Sequence, residues 1–176
     1  MKYIFILPTV FTILFATIVN VPDEFSTIQA AISFSSDGDT VLVQPGTHLG
    51  GVNFIGRSIV VGSMHMLTGD ESYIESTIIE GGAGRGSNAV IFDSGETELA
   101  ELIGFTVTAG TASSGGGIHC SSSSSPTLSY LIVTGNHANS QGGGLFCQSS
   151  DLSIIHSSFF NNDSDGRGGG LYVDNC

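Results

Sequence analysis

GGGIHC at residues 115–120, GGGLFC at 142–147 and GGGLYV at 168–173 are three copies of one phrase, whose first glycines stand 27 and 26 residues apart. A second segment repeats in phase with them. Leu128 aligns with Ile154, Val133 with Phe159, Thr134 with Phe160 and Asn136 with Asn162, each at an offset of 26. One further step back reaches Leu102 and Val107 in a degraded copy. A unit of this length holds a few short β-runs and tight turns and cannot bury its apolar side chains alone, so it must stack on its neighbours. Parallel stacking at a rise of about 4.8 Å per coil gives a solenoid in which equivalent side chains form ladders. The expected fold class is therefore all-β, a parallel solenoid of about six coils.

Alternation along a strand sorts those ladders. Ile118, Leu145 and Leu171 face the core, His119, Phe146 and Tyr172 face outward, and Cys120, Cys147 and Val173 face inward again. Asn136 and Asn162 are placed to hydrogen-bond along the stack and satisfy turn backbone groups. Because Val173 shares the slot of Cys120 and Cys147, both cysteines are expected as free, buried thiols. Cys176 is offset from that ladder and is not expected to pair with it.

Before the repeats, Met1-Lys2 and an uncharged run from Tyr3 to Val19 read as a basic start and apolar centre of an export signal. Cleavage is expected near Ala16, which makes residues 1–16 a signal peptide and 17–176 the folded domain; an uncleaved membrane anchor is the alternative. Ser26 or Thr27 ahead of Ile28, Ala31 and Ile32 reads as one short capped amphipathic helix. From Gly38 onward, TVLV at 40–43, SIVV at 58–61, STII at 76–79, AVIF at 89–92 and GFTV at 104–107 alternate with turn-rich clusters.

Sixteen Asp and Glu against four Lys and Arg leave a net charge of −12. Phosphate binding needs clustered cations, so nucleic acid is excluded as a partner, and anionic polysaccharides and membranes are disfavoured.

The opening VPDEFSTIQAAISFSSDGDTVLVQPGTH (21–48) and the stacked repeats resemble the pectin lyase-like right-handed parallel β-helix superfamily. That resemblance implies a single-stranded right-handed β-helix with an N-terminal capping helix. The GGGI and GGGL units, with Val133-Thr134-Gly135-Asn136 and Phe159-Phe160-Asn161-Asn162, are similar to polymorphic outer-membrane protein repeats. Similar proteins generally continue through more coils to a surface-sorting or outer-membrane module. The chain ends within a coil at GGGLYVDNC, so it is expected to be truncated at its C-terminus, with self-association through an open coil as the alternative.

A glycosidase needs converging carboxylates, and a pectate lyase a cationic base beside acidic calcium ligands. The acids instead fall in turns and loops (Asp37, Asp39, Asp70, Glu71, Glu96, Glu98, Glu101), and Arg57, Arg85 and Arg167 share no offset to an acidic pair. No catalytic residue is assigned. The expected function is a non-catalytic exported scaffold, secreted or at the cell surface, that binds carbohydrate or other surface components; the alternative is a degenerate or truncated carbohydrate-active enzyme, pectate lyase-like or pectinesterase-like. His119, Phe146 and Tyr172 are the candidate ligand-binding ladder. Asn161, Asp163 and Asp165, at alternate positions before Gly166, imitate the start of a calcium loop, although Tyr172 stands where its bidentate Glu belongs. Calcium is the one cofactor considered. His48, His65, His137 and His156 share no metal-ligand spacing.

Overall fold

The computed structural model describes residues 16–82 and 87–176. Most of the expected signal segment, residues 1–15, and Arg85 lie outside the described residues.

The chain winds through four stacks of short strands. The first face carries six, Ile18–Val21, Thr40–Val43, Val60–Ser63, Glu101–Ile103, Thr127–Ser129 and Ser153–Ile155, each beside its predecessor one coil earlier. The second face holds Gly46–Leu49, Thr77–Glu80, Thr106–Thr108, Ile132–Thr134 and Ser158–Phe160. The third holds Val52–Asn53, Val90–Phe92, Ile118–Cys120, Leu145–Gln148 and Leu171–Asp174. A fourth, Thr111–Ser114, His137–Gln141 and Asp163–Ser164, is inserted between the second and third in the last three coils. Pairing within all four sheets is parallel. The fold is thus an all-β parallel solenoid.

The period is regular only where the repeats are. Along the first face the register advances by 26 residues from Glu101 to Thr127 and again to Ser153, but by 22, 20 and 41 between Ile18, Thr40, Val60 and Glu101. The longest step contains two helices that the sequence reading did not foresee, His65–Thr68 and Ser72–Ser76. The strand Ile18–Val21 is equally unforeseen, since its valines lie within or beside the apolar run ascribed to the signal.

The core is a set of aliphatic columns. Val19, Val41, Val61, Leu102, Leu128 and Ile154 stand in register on the first face, and Val52, Val90, Ile118, Leu145 and Leu171 on the third. Each fully buried member contributes on the order of 1.5–3 kcal/mol. The sixth coil is the exception: Ile154, Leu171 and Val173 are 38 %, 42 % and 55 % exposed, so the inward positions Leu171 and Val173 are not enclosed here.

At the other end the helix Ile28–Phe34, which we label α1, closes the stack. Thr27 caps it by accepting the Ala30 N–H, and Ile28, Ala31 and Ile32 are buried on the first coils. Gln29 mimics a strand: its Oε1 accepts the Asn53 N–H at 2.7 Å and its Nε2 donates to the Asn53 carbonyl at 3.1 Å. The open backbone edge of Val52–Asn53 is thereby satisfied by a side chain.

Polar side chains close the turns between coils. Asn136 accepts the Gly110 N–H through Oδ1 at 2.9 Å and donates to the Val107 carbonyl at 3.0 Å and to Asn162 Oδ1 at 2.9 Å. Asn162 repeats the contact one coil on, donating to the Val133 carbonyl at 2.8 Å. The glycine triplets are needed for close approach: a Cβ at Gly143 would lie 2.0 Å from the Asp163 carbonyl oxygen.

Glu96 is the least expected of these pins. It is fully buried, and its Oε1 accepts the Gly56 N–H at 2.8 Å while Oε2 accepts the Ser94 N–H at 3.1 Å and the Ser124 hydroxyl at 2.7 Å. Both oxygens face N–H donors, so Gln at this position would aim its own NH2 at one of them. Glu96→Gln is therefore expected to lower stability by about 1–3 kcal/mol despite its matching shape, as read from urea unfolding; an unchanged midpoint would contradict this role for the carboxylate.

Candidate functional site

Several acids are engaged by the fold itself, mostly by backbone N–H groups. Ser36 and Thr17 donate their N–H groups to Asp39 at 2.8 Å each, and Ser58 N–H reaches Asp37 Oδ1 at 2.9 Å. Ser72 N–H reaches Asp70 Oδ1 at 2.9 Å, and Glu101 accepts the Ser129 hydroxyl at 2.7 Å. The N–H groups of Ser36 and Thr17 hold the Asp39 carboxyl below its ordinary range, and that of Ser72 does the same for Asp70. A general acid needs the opposite displacement.

The outward ladder of the third face is a continuous stack of rings. His119 pairs with Phe146 at 5.1 Å and 17°, and Phe146 with Tyr172 at 5.6 Å and 4°. Phe146 is consequently only 6 % exposed although it points away from the core. Both of its ring faces are taken by neighbours, so a sugar ring has no free face of Phe146 to stack on; His119 and Tyr172 remain half-buried. Alternation along the strand carries no information on this stacking, which covers the middle ring.

A second aromatic stack runs along the corner between the first and second faces, and the sequence reading missed it. Tyr130 lies between His65, at 4.6 Å, and His156, at 4.9 Å. Gly104 occupies the Tyr130 position one coil earlier, where a Cβ would sit 2.9 Å from the Cβ of His65. The helix that carries His65 thus supplies the ring that residue 104 lacks. Beside this stack a groove of about 350 Å³ is lined by Glu71, Ile74, Tyr130, Ile132, His156 and Ser158. The 26-residue offset between Tyr130 and His156 was the available signal.

On the fourth face, Asp163 and Asp165 lie together with His137. His137 pairs in register with Asp163. Its Nδ1 is 3.4 Å from Asp163 Oδ2 and its Nε2 is 3.7 Å from Asp165 Oδ2. Asn161 instead occupies a left-handed turn, φ 53°, where its carbonyl accepts the Gly135 N–H at 3.2 Å.

The cysteines also depart from expectation. Cys120, Cys147 and Val173 stand in register as one column, yet Cys147 is bonded to Cys176, with Cα atoms 6.6 Å apart. Asn175 repeats the left-handed turn of Ser149 26 residues earlier, φ 57° against 51°, and this turn after the strand brings Cys176 onto Cys147. Cys120 remains a free, buried thiol, and desolvation pushes its pKa up to about 11.

Residues 130–148 match the Chlamydia polymorphic membrane protein repeat. This segment begins at the aromatic corner and spans the second, fourth and third faces of one coil, including Asn136 and the central glycine triplet. No curated protein and no solved structure matches the chain.

The disulfide makes a simple expectation about labelling. Denatured without reductant, the protein takes one alkyl group per chain, at Cys120, and after reduction it takes three; three labels without reduction would contradict the Cys147–Cys176 bond.

Proposed function

We propose that this protein is a non-catalytic, exported scaffold, a single-stranded right-handed β-helix of the pectin lyase-like kind displayed at a cell surface. The observation that carries this reading is the use made of its polar groups. Asp37, Asp39, Asp70 and Glu96 accept turn and loop N–H groups, and Asn136 and Asn162 hydrogen-bond from coil to coil. A side chain that holds a turn together through its charged form is poorly placed to exchange protons with a substrate.

The matching segment within the coil 130–148 favours surface placement, because the repeat it resembles is that of a membrane protein. Right-handed winding follows from the strong preference of parallel crossovers. Export with cleavage near Ala16 is consistent with Thr17, whose N–H is bonded to Asp39, as an early backbone group engaged by the fold. Contact with glycans or other surface components would fall to exposed ring edges and to the groove beside Tyr130, with nucleic acid disfavoured by the charge of −12.

Two measurements test this together. In the cells that make the protein, extracellular protease should remove it from intact cells, and the exported protein should release no unsaturated or reducing ends from pectate and related polymers in the presence of calcium. An intracellular pool alone, or turnover that Glu71→Gln abolishes, would overturn the proposal.

A further inference from the structure

We propose that His137, Asp163 and Asp165 form a binding site for a divalent cation of the zinc class, which clamps the last two coils together. His137 opens the strand His137–Gln141, and Asp163 lies directly beside it in the next coil. Asp165, two residues further along the same chain, returns to the same side. One donor atom from each of the three lies within 4.8 Å of the other two. Donors bonded to zinc at about 2.0–2.2 Å in a tetrahedral arrangement sit roughly 3.4 Å apart, so small rotations of exposed side chains complete the set.

The backbone needs no rearrangement. Asp163 N–H donates to the Asn136 carbonyl at 2.9 Å and Asp165 N–H to the Ala138 carbonyl at 3.0 Å, which fixes the spacing of the three residues through the sheet. Asn136 and Asn162, bonded to one another beside them, lock the same two coils in register. The charge is also unbalanced: the ion pairs of Asp163 and Asp165 are both with the single imidazole of His137, in a chain with net charge −12. A dication would supply what one imidazole cannot.

The donor set chooses among cations. Calcium takes six to eight oxygen ligands and gains little from a ring nitrogen, whereas an imidazole with two carboxylates suits zinc and its neighbours in the transition series. The carboxylates are 81 % and 64 % exposed, which leaves the remaining coordination positions to water. Because the ligands come from two coils, a cation bound here stabilises the stacked state over the unstacked one.

The exported chain, free of affinity tags and with its disulfide intact, would be titrated with ZnCl2 calorimetrically and by thermal unfolding. One zinc per chain and a concentration-dependent rise in the unfolding midpoint are expected, with CaCl2 at equal concentration giving a smaller rise. His137→Gln and Asp163→Asn should each weaken zinc binding at least roughly 100-fold, more than loss of an outer-shell partner usually costs, while His48→Gln leaves it unchanged. Should either variant misfold, the unaltered protein decides: zinc should shift the ring nitrogen resonances of His137 and not those of His48. No zinc binding, binding that survives His137→Gln in a folded protein, ring resonances at His137 that zinc leaves unmoved, or an equal response to calcium would overturn the proposal.

Discussion

Everything in this molecule depends on parallel pairing between strands one coil apart. That pairing places like residues over like, so the choice of one side chain constrains the one above and below it. Inside, it builds columns that are mostly Val, Ile and Leu. Outside, the same rule produces the His119–Phe146–Tyr172 and His65–Tyr130–His156 stacks. Close approach of neighbouring turns then requires Gly at positions such as 143, where another coil's carbonyl occupies the place of a Cβ.

A chain so poor in cations must dispose of its carboxylates in some other way than ion pairing. Here Asp37, Asp39, Asp70 and Glu96 become acceptors for backbone N–H groups at turns, an arrangement worth more than a surface salt bridge because the donors are fixed and partly shielded from water. Glu96 is the extreme case, with three donors converging on a carboxylate removed from solvent. Asp163 and Asp165 differ from these: what faces their side chains is a histidine from the preceding coil. The contrast between acids that serve the backbone and acids that face outward divides structural from chemical candidates on this surface.

The sequence was most readable where the coil was most regular. A 26-residue offset was enough to pair Leu128 with Leu102 and Ile154, and Val133 with Val107 and Phe159, and the structure has these registers. Thr27 ahead of Ile28 likewise marked the capping helix. The helices His65–Thr68 and Ser72–Ser76 were not legible, because four or five residues are too few for helical periodicity to show. Nor was His137, since metal motifs are sought at spacings of a few residues, whereas its distance to Asp163 is one whole coil. The Cys147–Cys176 bond was missed for a related reason: the column was read along strands alone, whereas the left-handed turn at Asn175 carries Cys176 to it from beyond the strand.

The register itself is the claim on which the account stands, and nuclear Overhauser contacts in the isotope-labelled protein test it most directly. The structure requires Hα-to-amide contacts linking strand residues 26 apart, such as Val133 with Val107 and with Phe159, on both sides of the strand. Close Hα–Hα contacts between strands adjacent in sequence, the mark of antiparallel hairpins, would contradict the solenoid and with it the placement of every ladder and site described above.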